Sequence, residues 1–298
     1  MAMSTSPDAL LSPQLMAQLE RLELVSRKIF RGRLKGERRS TRKGQSVEFA
    51  DFRNYVHGDD LRFVDWNTYA RLDRLFLKLF FEEEDLHFYA LIDESDSMSF
   101  GTPAKLRFAQ QLAAALGFIG LIRGDRVRIE TVGQPVTRTT PTFRGRQSVW
   151  RMLEQLGSIE AGGMTALAAG VKNFCLRNPG KGVVVLMSDL MDKQGYAEAL
   201  KYLLARRMDV YVIQILSPEE LAPDLQGDLQ LVDSEDGDIA EISVSGPLLK
   251  HYQDTLAAFV ATAREFCTRR GMTYLLADSR TPVDQLVSHY LRERGLVR

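Results

Sequence analysis

Cysteine is scarce: 298 residues contain only Cys175 and Cys267, far apart and without CxxC or Cys/His spacing. That excludes a disulfide scaffold or a cysteine-rich zinc module, and both read as reduced interior thiols. Histidine is nearly as rare, and His57, His87, His251 and His289 show no metal-pair spacing. Net charge is absent, with 39 Lys+Arg against 39 Asp+Glu. This excludes a globally basic nucleic-acid binder and a long acidic tail. Long apolar runs are missing too. The longest, Leu112 to Ile122, is about half of what a bilayer span requires and is closed by Arg123 and Asp125. Met1 to Leu22 lacks the basic start, apolar core and small-residue cleavage site of a secretion signal. The expected location is cytoplasmic, with no membrane span. No Gly-x-x-x-x-Gly-Lys-Ser/Thr phosphate loop and no Gly-x-Ser-x-Gly elbow occur.

What is there is the composition of a globular chain, 45% hydrophobic and 26% charged. A chain of this length buries roughly 75% of its unfolded surface and needs no metal merely to fold. The apolar spacing of Leu15, Leu19, Leu22 and Val25 or Ile29 predicts an amphipathic helix over Leu10 to Phe30. A basic stretch from Arg27 to Lys43 follows, interrupted by glycines, and reads as a linker. Residues 1–45 form this first part. Residues 46–84 mix charge with aromatics, as in Phe52, Arg53, Tyr55, Asp59, Asp60, Arg62 and Trp66. They read as a nonregular belt packed on the main domain, held by Arg–carboxylate pairs.

From residue 85 to 298 strands and helices alternate. Predicted strands are Leu86 to Asp93, Arg126 to Val132, Gly182 to Met187, Val210 to Leu216 and Thr273 to Ala277, with a hairpin around Asp236-Gly237. Predicted helices are Ala104 to Ile122, Gln147 to Leu156, Ala166 to Leu176, Tyr196 to Arg207, Leu248 to Arg270 and Val283 to Glu293. This alternation specifies an α/β fold with a mostly parallel sheet and helices on both faces.

Such a sheet binds ligands at the carboxyl ends of its strands. Two strands end in acids there: the first in Asp93-Glu94-Ser95-Asp96-Ser97, the central one in Ser188-Asp189-Leu190-Met191-Asp192. The turn Gly162-Gly163-Met164-Thr165 adds a hydroxyl. Asp93, Ser95, Ser97, Thr165 and Asp189 are hard oxygen donors of low total charge, the set that Mg²⁺ favours; Mn²⁺ or Ca²⁺ is also compatible. A plainer reading has Ser95 and Ser97 capping the next helix. In an extended segment, Glu94 and Asp96 would face away from Ser95. Asp192 reads as a solvated loop residue, the alternative being an acid that supports the donors from behind.

These residues resemble the metal-ion-dependent adhesion site of von Willebrand factor A domains: Asp-x-Ser-x-Ser after an apolar strand, a later Gly-Gly-x-Thr turn, and an Asp after the next buried strand. Two departures stand out. Thr165 is followed by Ala166, and Asp189 by Leu190 where adhesion domains often carry Gly. Upstream, Ser46 to Arg53, Gly58-Asp59-Asp60-Leu61-Arg62, Val64-Asp65-Trp66 and Ala70-Arg71-Leu72-Asp73-Arg74-Leu75 resemble the bacterial domain of unknown function 58 (DUF58) family, in its short form. The resemblance implies a metal-dependent protein-interaction module that binds a partner carboxylate, working with a MoxR-type AAA+ ATPase or that ATPase's client, and not an enzyme. The alternative is a Mg²⁺-dependent phosphate-ester hydrolase with Asp93 as nucleophile. The second acid of haloacid dehalogenase-type phosphatases is missing, since position 95 is Ser. Nucleic-acid binding through Arg27 to Lys43 is poorly supported, because the stretch has no aromatic platform beyond Phe30.

Overall fold

The computed structural model describes residues 10–26, 49–80, 86–133, 141–178, 180–206, 208–234 and 237–298. The basic stretch Arg27 to Lys43, the acidic run Glu82 to Asp85 and the turn residue Asp236 lie outside them. The chain divides into two compact units, residues 1–28 with 86–298 and residues 29–85.

The first helix, α1 (Pro13–Leu19), is capped by Ser12, whose side chain accepts from the Leu15 amide. It is far shorter than the apolar spacing predicts. Beyond Glu20 the backbone pairs with the chain's last residues: the Glu23 amide donates to the Arg298 carbonyl at 3.1 Å and the Val25 amide to the Leu296 carbonyl at 2.8 Å. Leu24 is thereby fully buried, so tertiary pairing overrides helical periodicity.

Within the segment 46–84, the described residues 49–80 correct the expectation of a nonregular belt. Strand β1 (Phe49–Asn54), helix α2 (Trp66–Leu72) and strand β2 (Phe76–Phe80) are regular, with β1 and β2 antiparallel. A bulge between Phe49 and Asp51 breaks the period-two pattern that marks a strand in sequence. Asp65 caps α2, accepting from the Asn67 and Thr68 amides. The expected Arg–carboxylate pairs are present: Arg53 grips Asp59 bidentately at 2.7 and 2.6 Å, and Arg62 meets Asp60 at 2.7 Å.

The larger unit carries the predicted α/β architecture. In chain order follow β3 (His87–Asp93), α3 (Lys105–Ile122), β4 (Arg126–Val132), a two-residue edge strand β5 (Phe143–Arg144), α4 (Val149–Gly157), α5 (Leu167–Arg177), β6 (Gly182–Ser188), α6 (Ala197–Leu204) and β7 (Met208–Leu216). Then come the short helix α7 (Pro218–Leu221), the hairpin β8 (Gly227–Val232) and β9 (Ile239–Val244), α8 (Gly246–Arg269), β10 (Thr273–Asp278) and α9 (Val283–Gln285), which widens into a π-turn over Leu286–Leu291. The main sheet runs β10-β7-β6-β3-β4-β5, parallel except for β5. Every residue of β6 and β7 is buried, as strands covered on both faces must be. On one face Tyr89, Leu91, Val184, Leu186 and Val212 pack with Val171 and Phe174 of α5, Leu203 of α6 and Cys267 of α8. On the other lies α3, buried along most of its length. A methyl group at Gly117 would sit 2.5 Å from the Met152 sulfur, so α3 and α4 pack tightly at that position. Among the described residues no helix is long and apolar enough to cross a membrane.

Strand order places the site. From β3 the chain steps to β4 on one side, then crosses to β6 on the other and continues outward to β7 and β10. The reversal falls between β3 and β6, where the loops part and leave a crevice at the strands' carboxyl ends. Asp93 ends β3, and Asp189 follows β6 directly.

Candidate metal centre

Parallel pairing aligns Ile92 with Met187, which brings Asp93 level with Ser188. The Ser188 hydroxyl donates to Asp93 Oδ2 at 2.6 Å, and the Ser95 amide donates to Asp93 Oδ1 at 3.1 Å. Ser95 and Ser97 share a hydrogen bond between hydroxyls at 3.0 Å, and Ser97 donates to Asp189 Oδ2 at 2.9 Å. Four of the five predicted donors thus form one chain of contacts across the switch point. Asp93, Ser95 and Asp189 have no solvent exposure.

The capping alternative for Ser95 is not realised. Ser95 precedes the short 3-10 turn Asp96–Ser99, but its side chain makes no capping bond. Because that segment turns, Asp96 does not simply point away. It clamps the neighbouring loop: its amide donates to the Gly163 carbonyl at 3.0 Å, and its carboxylate accepts from the Gly163 amide at 3.1 Å. The Gly162 amide also donates to the Glu94 carbonyl at 2.7 Å. These bonds hold the Gly162–Ala166 loop, and with it the buried Thr165, against the Asp93 loop. Gly163 has φ +85°, a conformation that favours glycine. Asp192 is buried rather than solvated. It accepts from the Leu167 amide at 2.9 Å and the Gln194 amide at 2.7 Å, so it caps α5 from across the site.

Three further side chains, none of them among the expected donors, brace Asp189. Lys105, the first residue of α3, is 1% exposed and donates to Asp189 Oδ2 at 2.7 Å and to Glu220 Oε1 at 2.6 Å. Glu220 is set by a capping box, its other oxygen accepting from the Ser217 amide at 2.7 Å. Gln214 donates to the Asp189 carbonyl at 2.9 Å and accepts from the Tyr274 hydroxyl at 2.6 Å. Only Ser217-Pro218-Glu219-Glu220 is recognisable beforehand, as the S-x-x-E spacing of a capping box.

The electrostatics follow from burial. Desolvation pushes the Asp93 carboxyl up to about 7, with the nearby Asp189 charge adding, against the hydrogen bonds from Ser188 and Ser95. Burial alone would lower the Lys105 ammonium, but the Asp189 and Glu220 carboxylates outweigh it and hold it above its ordinary value. Leu190 has φ +63°, left-handed backbone at a non-glycine residue. This costs about 1–2 kcal/mol and is offset by burying the side chain, which is 1% exposed. The departure from Gly after Asp189 therefore keeps the glycine-like backbone while adding a core residue.

Among the described residues no three His, Cys, Asp or Glu side chains converge as a metal-holding group. The donors are instead two carboxylates and serine hydroxyls, all hard oxygens. That set fits an oxygen-seeking cation that keeps several waters, and does not fit zinc.

An uncharacterized protein of Mycobacterium tuberculosis is 29% identical over 282 residues, covering 92% of this chain and 87% of that protein, and its Mycobacterium bovis counterpart matches equally. Among solved structures, BatB from Bacteroides thetaiotaomicron is 16% identical, covering 70% of this chain and 98% of its own, with a TM-score of 0.43. An aerotolerance-related membrane protein from Bacteroides fragilis is 15% identical over 71% of this chain and 98% of its own, with a TM-score of 0.42. The family described as protein of unknown function DUF58 matches residues 51–265, most of the chain. The chain belongs to the DUF58 family.

Proposed function

We propose that the chain is a protein-binding module, not an enzyme, with a von Willebrand factor A-like domain that engages a partner carboxylate through a divalent cation, Mg²⁺ foremost. The observation that carries this is the contact chain Asp93–Ser95–Ser97–Asp189 across the sheet's switch point. Ser95 and Ser97 would hold the ion directly, and Asp93 and Asp189 mostly through waters, with Thr165 on the adjoining loop. Bound there, the cation supplies an incompletely neutralised positive charge that an anionic side chain can join. Each of the three loops also exposes an apolar side chain, Phe100, Met164 and Met191, which suits a protein surface more than a small solute. Family membership favours a MoxR-type AAA+ ATPase or its client as partner.

Phosphate-ester hydrolysis at Asp93 is the weaker reading. Both of its carboxylate oxygens already accept hydrogen bonds and the side chain is fully buried, which disfavours nucleophilic attack. The test is a pull-down from native cytosol in Mg²⁺ against chelator, with wild type and Asp93→Ala. Capture of a partner that needs both Mg²⁺ and Asp93 supports the proposal. Equal capture in chelator contradicts it.

A further inference from the structure

Lys105 carries a positive charge into the acidic site from a position that local helix energetics disfavour. It begins α3, where the helix's own partial charge is also positive, and its side chain is 1% exposed. A buried ammonium is kept only with close carboxylates, and here there are two. The geometry sets them in competition. Asp189 Oδ2 accepts from both Lys105 and Ser97, so one oxygen faces the ammonium on one side and the hydroxyl donors on the other. Glu220 is locked by its capping box and presents only its remaining oxygen to Lys105.

We infer that Lys105 is a tethered cation that sets how tightly the site takes a divalent ion, with Glu220 as the counter-carboxylate drawing it away from Asp189. The inference rests on the metal reading above. An ion at the Ser95 and Ser97 hydroxyls needs the charge of Asp189, which Lys105 already partly neutralises, so the lysine holds affinity down. Glu220 offsets that effect by sharing the ammonium. The arrangement suits a site that binds its ion weakly and gains full affinity only when a partner carboxylate adds negative charge.

The two residues therefore predict opposite signs. Mn²⁺ is titrated calorimetrically into the 298-residue wild-type chain, Lys105→Met, Lys105→Gln and Glu220→Gln, each checked for native circular dichroism. The Lys105 variants bind Mn²⁺ tighter by about tenfold or more, the scale of groups that adjoin metal ligands. Glu220→Gln keeps a capping-competent side chain but binds more weakly. Two Lys105 substitutions guard against one failing to fold. A purely structural role would shift all variants the same way or leave them equal to wild type, and either result overturns the inference while the metal reading stands. If neither wild type nor any variant binds Mn²⁺, the metal reading falls and takes this inference with it.

Discussion

The Lys105 ammonium donates to Asp189 Oδ2 at 2.7 Å with both side chains sealed from solvent, at 1% and 0% exposure. Asp189→Ala leaves the buried ammonium with Glu220 alone. This costs about 3–5 kcal/mol, as loss of one partner from a buried pair does. The exposed pair Arg62–Asp60 has a shorter Coulombic reach through water, and Arg62→Ala leaves stability unchanged within error. Urea denaturation of the two variants measures the contrast; equal effects would mean that the Lys105–Asp189 contact carries no special weight.

Stability of the metal-free protein falls as pH rises toward neutrality. The folded Asp93 carboxyl titrates near 7, above the ordinary carboxylate range. Between those values the native state holds a proton that the unfolded chain has released. The contribution is therefore fully present at acid pH and lost as pH climbs through about 7, with a slope of at most about 1.4 kcal/mol per pH unit. Asp93→Asn stays neutral and flattens that part of the profile. Parallel profiles for wild type and Asp93→Asn, measured in chelator, would contradict the assignment.

Leu190 combines backbone strain with core burial, so two substitutions separate the terms. Leu190→Ala keeps the left-handed strain and loses packing, costing about 2–5 kcal/mol. Leu190→Gly loses the same packing but relieves about 1–2 kcal/mol of strain, and should be the less destabilised of the pair. Thermal melts of both decide the order. Alanine proving milder than glycine would show that the φ of Leu190 carries no strain.

Both thiols are buried and unpaired, and burial pushes Cys267 up to about 12 and raises Cys175 as well. The thiolate is the reactive form, so the native protein at pH 8 resists a disulfide-exchange reagent, whereas in denaturant both residues react. Rapid labelling of native protein would overturn this.

Legibility divided along physical lines. Asp93 and Asp189 stood out because a buried parallel strand is a continuous apolar run, and its sudden polar end marks the sheet's carboxyl edge. The pairings that complete the site did not. Lys105 meets partners 84 and 115 residues away, and no periodicity in sequence encodes that contact. Asp192 read as solvated because its role depends on the distant amide of Leu167. Residues 46–84 read as nonregular because the β1–β2 pair is bulged and the loops between are dense in paired charge. The long first helix failed for the opposite reason, since its periodicity was real but pairing with the C-terminus claimed the backbone after Glu20.

The proposed function stands or falls on a divalent cation binding among Asp93, Ser95, Ser97 and Asp189. Anomalous diffraction from a crystal of the 298-residue chain soaked in Mn²⁺ decides it. A peak is expected within coordination distance of the Ser95 and Ser97 hydroxyls, and none there in Asp93→Ala. A peak elsewhere, or none at saturating Mn²⁺, would contradict it.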